Sequence, residues 1–107
     1  MAVIAEQWLD QLGSDEKVAV RLHAPYHSNE RKSWVCRFEI GDPVDHALDI
    51  CGESGLQALA LALKALSASL YSSDHYRRGA LGAFGAFGGY LGIPAPQVFL
   101  DEAPYPF

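Results

Sequence analysis

The sequence contains no run of basic residues. Lys and Arg number 8 against 13 Asp and Glu, the formal net charge is −5, and Arg77-Arg78 is no more than a pair. A surplus of carboxylates repels a phosphate backbone, so nucleic acid is a disfavoured partner. Long apolar runs are missing too. The most apolar stretch, Leu56 to Leu66, is broken by Lys64 and falls short of the roughly 20 residues a membrane-spanning helix needs. The opening Met1-Ala2-Val3-Ile4 shows neither the basic stretch nor the apolar core of a secretory signal. Cysteine is scarce. Cys36 and Cys51 lack Cys-x-x-Cys spacing, which removes the common redox and zinc motifs, and two thiols suit a reducing compartment. These absences lead to the expectation of a cytoplasmic protein with no membrane partner.

What is present is ordinary globular material. Hydrophobic residues make up 50% and charged residues 20%, so disorder is not expected. A length of 107 residues suits one domain, here 1–107, and is too short for two. From Val3 to Leu12 the spacing of Ile4, Trp8 and Leu12, with Glu6, Gln7, Asp10 and Gln11 between, predicts a short amphipathic helix ended by Gly13. Three alternating runs follow within 17–52. Val18, Val20 and Leu22 form the first, Trp34, Cys36, Phe38 and Ile40 the second, Leu48 and Ile50 the third. Alternation with turn-rich connections predicts an antiparallel meander.

Over 54–72 the pattern changes to that of a helix. Ser54 and Gln57 match a capping box, and Leu56, Leu59, Ala60, Leu63, Leu66 and Leu70 fall on one face. The opposite face, Ala58, Leu61, Ala62, Ala65 and Ala68, has little charge. It calls for a cover: the N-terminal helix, the glycine-rich segment or a second copy in a homodimer. From 79 onward glycine dominates, then proline. Gly79, Gly82, Gly85 and Gly88 recur every third residue, with Gly89 and Gly92 added and Leu81, Phe84, Phe87 and Tyr90 between them. Irregular structure close to the core is expected there, then an extended end from Pro94 to Phe107.

Signals for chemistry are weak. The glycine run contains neither G-x-G-x-x-G nor a Lys-bearing phosphate loop, and prolines follow it. Its aromatics Phe84, Phe87 and Tyr90 could still line a small-ligand pocket. His23, His27, His46 and His75 have no metal-helix spacing and read as surface residues, so no metal and no cofactor are expected. Cys51 and His23 would share a sheet face, but no nucleophile motif surrounds either, so no catalytic residue is assigned. An enzyme would need Cys51 to converge with a histidine and a carboxylate. Carboxylates are densest at Glu39, Asp42, Asp45, Asp49 and Glu53, which could form a docking surface for a basic protein partner.

The run Ser54-Gly55-Leu56-Gln57-Ala58-Leu59-Ala60-Leu61-Ala62-Leu63, after a short strand and before Leu91-Gly92-Ile93-Pro94, resembles a family of small uncharacterised bacterial proteins. In that family a strand meander leads into an S-x-x-Q-A-L-x-L-A-L helix. The resemblance spans Trp34 to Pro94 and brings no functional residues with it. By analogy of size and charge it suggests an immunity- or antitoxin-like inhibitor. The sequence thus predicts an α+β fold: a three- or four-stranded antiparallel sheet, one long helix packed across a face and a short N-terminal helix. The expected core includes Trp34, Phe38, Ile40, Leu48, Ile50, Leu56, Leu59, Leu63 and Leu66. The expected function is a non-catalytic protein-binding module. Small-ligand binding through 79–92 is the alternative, and a small enzyme ranks third.

Overall fold

Residues Val3–Gln11 form a strand, β1, where the spacing predicts a helix. Ile4, Trp8 and Leu12 are four apart, which is close to one helical turn of about 3.6 residues and is twice the strand repeat of two, so the spacing fits either conformation. Pairing decides the matter: β1 is laddered along its length to the next strand, with Leu9 opposite Val18 and Gln7 opposite Val20. In the computed structural model, which describes residues 2–93, Ile4, Trp8 and Leu12 are exposed and Leu9 is the buried residue.

The chain then runs through β2 (Lys17–His23), β3 (Tyr26–Ser28), β4 (Ser33–Ile40) and β5 (His46–Gly52). Helices α1 (Gly55–Tyr71) and α2 (Asp74–Arg77) follow, and a hairpin of β6 (Leu81–Ala83) and β7 (Ala86–Phe87) completes the sheet. Among the described residues the fold is α+β, with a seven-stranded antiparallel sheet and one main helix. Strand β5 covers β4 on one side. On the other side β3 pairs with Val35 and β2 with Phe38, so β2 and β3 lie end to end, broken at Ala24-Pro25. Beyond β2 come β1, β6 and β7. The glycine-rich segment therefore contributes two strands. Its turn, Phe84-Gly85, has φ of 55° and 83°, the positive pair that a two-residue hairpin favours. The extended proline-rich end expected from 94 to 107 lies outside the described residues.

Helix α1 begins as expected, with the Ser54 hydroxyl accepting from the Gln57 amide at 3.1 Å. The face it presents to the sheet at its N-terminal half is rotated from the leucine stripe, with Leu59 packed at its margin. Ala58 and Ala62 are fully buried beside Cys36, whereas Leu56 is 78% and Leu63 37% exposed. Close approach explains the choice. A Cβ on Gly52 would stand 2.6 Å from the Ala58 nitrogen, so only small residues fit where the helix starts against the end of β5. Toward the C-terminus Leu66, Leu70 and Tyr71 take over, and pack with Leu9, Val20, Phe38, Ile40 and Leu81.

Of the expected core, Phe38, Ile40 and Leu66 are buried, Trp34, Ile50 and Leu59 half-buried, and Leu48, like Leu56 and Leu63, exposed. Leu48 fails because β5 is the outermost strand on its side. Two tyrosines pin the glycine-rich segment. The Tyr71 hydroxyl donates to the Ile93 carbonyl at 2.8 Å and accepts from the Leu91 amide at 3.0 Å. Tyr76 donates to the Gly89 carbonyl at 3.0 Å. Burial raises the pKa of both phenols.

Candidate functional site

Helix α1 covers one face of the sheet, and among the described residues no helix lies over the other. Directly opposed residues of an antiparallel ladder point to the same face. On the uncovered face the register opposes Glu6 to Arg21, Asp10 to Lys17, Arg21 to Glu39 and Arg37 to Asp49. It also opposes Trp8 to Ala19, and Gly82 to both Asp10 and Phe87. The register thus opposes charges of unlike sign across strands, with Glu6 and Asp10 brought here by β1, the strand that replaces the expected helix.

The geometry bears this out. Arg21 Nε donates to Glu6 Oε2 at 2.6 Å, and its guanidinium lies 5.5 Å from the Trp8 ring centroid. Trp8 Nε1 donates to Glu6 Oε1 at 3.1 Å, so one carboxylate holds both partners. Lys17 pairs with Asp10, and this hydrogen bond lowers the Asp10 carboxyl below its ordinary value. Arg37 Nη1 reaches Asp49 Oδ1 at 3.2 Å, and Arg31 Nη2 reaches Asp49 Oδ2 at 3.8 Å. Arg31 Nη1 is also 3.8 Å from Cys51 Sγ, a contact that raises the guanidinium pKa.

Glu39 pairs with His23 through Nε2 and lies 4.0 Å from Arg37 Nε. His23 corrects an expectation: it is 8% exposed, and its Nδ1 is buried with no hydrogen-bond partner among the described residues. Val35 is buried on this face as well. The apolar part of the face is at the β1 side, where Trp8 (51% exposed), Leu12 and Phe87 reach solvent, and Ile4 is exposed at the shift in register between β1 and β2.

The five expected docking carboxylates do not gather. Glu39 and Asp49 lie on the uncovered face within ion pairs. Asp42 and Asp45 lie in the turn before β5, and Glu53 just after it, at opposite ends of that strand. No ion pair among the described residues engages these three. The three aromatics do not gather either. Phe84 stands 82% exposed at the hairpin turn, Phe87 packs over Gly82, and Tyr90 is exposed beyond it.

The cysteines point to opposite faces, as their phase implies: Cys36 is buried, Cys51 exposed, and both are free. Burial raises the Cys36 pKa. Cys51 lines a polar depression of about 470 Å³ with His27, Lys32, Trp34, Glu53 and Gln57. That brings a thiol, an imidazole and a carboxylate to one rim. Arg31 donates to the sulfur, while His27 stacks edge-on to Trp34 at 5.7 Å. A nucleophile needs a base in that position.

Sequence reasoning missed Trp8 as a surface group through the helix assignment, and named Phe87 as a pocket residue without recognising the hairpin that carries it. Phe84-Gly85 between two short apolar pairs was the available signal. Among the described residues no three His, Cys, Asp or Glu side chains are placed to share a metal ion. No helix there is long and apolar enough to cross a membrane. No curated protein and no solved structure matches the chain. A family described as a domain of unknown function, DUF6968, matches residues 6–95, and the chain belongs to that family.

Proposed function

We propose that this chain is a non-catalytic protein-binding module that docks through the uncovered face of its sheet. The observation that carries the reading is the exposed apolar set of Ile4, Trp8, Leu12 and Phe87 beside a field of cross-strand ion pairs. Tryptophan is among the residues that most often anchor an interface, and paired charges around an apolar centre make a polar rim. Trp8 is also held in place by Arg21 and Glu6, which lowers the entropy lost when a partner immobilises it.

The finer form of the proposal is an immunity- or antitoxin-like inhibitor of a basic partner in a bacterial cytoplasm. The net charge of −5 and the resemblance to small bacterial proteins support it. Asp42, Asp45 and Glu53 would steer encounter, since Glu39 and Asp49 are already paired.

Site-specific photo-crosslinking in the cells that express the chain tests the reading. A crosslinker at Trp8 or Phe87 should trap one discrete protein, and a crosslinker at Glu30 or Leu56 should not. Equal capture from all four positions, or none from the first two, would refute it.

A further inference from the structure

We infer that the free edge of β5 pairs with the same edge of a second copy, joining two sheets about a two-fold axis at Leu48. The edge is open: β5 is hydrogen-bonded to β4 alone among the described residues. It is also lightly defended. Edge strands are commonly blunted by charged side chains, lysine above all, by proline, a bulge or shortness. His46–Gly52 is seven residues long with neither lysine nor proline, is in unbroken register with β4 from Gly52 to His46, and has as its one carboxylate Asp49, which Arg37 and Arg31 engage. The opposite end of the sheet, β7, is two residues long.

The side chains specify the second copy. With Leu48 opposite itself, His46 faces Ile50 on the helix side, and Ala47 faces Asp49 on the other. No like charges meet in this register, whereas centring on Asp49 would oppose two carboxylates. Asp49 needs nothing from a partner, since Arg37 and Arg31 already hold it. Leu48, 41% exposed, would be buried at the axis.

The helices agree with this placement. Helix α1 rests on β4 and β5. Two-fold pairing would set two such helices about two strand spacings apart, roughly 10 Å, within reach of the ~8–10 Å between packed helices. Leu63 and Leu66 lie toward β1 and β2, which leaves the flank of Leu61, Ala65 and Ala68 toward the free edge. Leu61 is 39% exposed and the other two are small, so the helices can approach. This surface is separate from the uncovered sheet face, so it stands apart from the proposed function.

Sedimentation velocity of the full chain at high micromolar concentration should give twice the chain mass. Leu48→Lys and Ala65→Glu should each give a monomer with an unchanged far-UV circular dichroism spectrum. Because either variant could fold poorly, Leu48→Cys in a Cys51→Ser background supplies an independent reading. Residues opposed across an antiparallel pair lie within disulfide range, so mild oxidation should give a covalent dimer, and Leu12→Cys in the same background should not. A monomeric wild-type chain overturns the inference. So does a dimer that survives Leu48→Lys and is not trapped through position 48.

Discussion

On one face of the sheet Leu9, Val18, Val20, Phe38 and Ile40 are sealed against α1 and the segment around Leu91. One residue along in the same strands, Trp8, Lys17, Arg21 and Arg37 meet solvent or one another. The same backbone serves both, because successive side chains of a strand leave on opposite sides. The covered face is held by packing, where every atom has neighbours. The uncovered face is held by ion pairs that solvent screens, each contributing little to stability. It follows that substitutions on the first should change folding, and on the second recognition.

The largest effect should come from Phe38→Ala. Phe38 is fully buried on β4, between β2 and β5, so the change should cost about 3–5 kcal/mol in urea or guanidinium melts. A loss below about 1 kcal/mol would mean that the face is not packed as described.

The helix sharpens the contrast within one turn. Ala62→Leu forces volume between α1 and the sheet and should cost about 1–3 kcal/mol. Leu63→Ala, from a side chain that still meets solvent, should cost about 1 kcal/mol or less. If the leucine loss exceeds the alanine gain, the helix is rotated from the orientation described. Tyr71→Phe should cost about 1–3 kcal/mol, because it strands the Leu91 amide and the Ile93 carbonyl beneath the helix. Faster amide exchange at Leu91 in the variant would trace the loss to that contact.

These positions also show what the sequence could and could not convey. The strands at 17–23, 33–40 and 46–52 were legible because their centres alternate over five to seven residues between turn-rich connections, the pattern of a strand with two unlike faces. Helix α1 was legible in extent through its cap and its period. Its orientation was not, since hydrophobicity ranks leucine above alanine, and only the close approach at Gly52 favours the smaller residue. Strand β1 was hidden by a spacing that fits both repeats, and β6 and β7 by glycines whose turn geometry depends on φ. Of the candidate site, Glu39 and Asp49 were found as carboxylates, but not that Arg37, Arg31 and His23 meet them. Those contacts are set by register between strands distant in sequence.

On the uncovered face Trp8→Ala should cost only about 0.5–1 kcal/mol, the size of an exposed cation–π contact, while abolishing capture of a partner. A loss of several kcal/mol would make Trp8 a core residue and remove the contrast. The smallest effect concerns acid. Lys17 holds the Asp10 carboxyl below its ordinary value, so the pair's contribution is present above the ordinary carboxylate range and is lost as pH falls through the lowered value. Asp10→Asn should leave melts at neutral pH nearly unchanged and flatten the acid limb slightly. A steeper acid limb in the variant would reverse the assigned sign.

Side-chain footprinting, done on the purified chain and again inside the cells that express it, bears most directly on the claim that the uncovered face is the binding face. In the purified chain Trp8, Phe87 and Leu56 should label strongly and Phe38 and Tyr71 weakly. Inside the cell Trp8 and Phe87 should lose label while Leu56 keeps it. Trp8 labelling that is already suppressed in the purified chain, or unchanged between the two settings, would contradict the account.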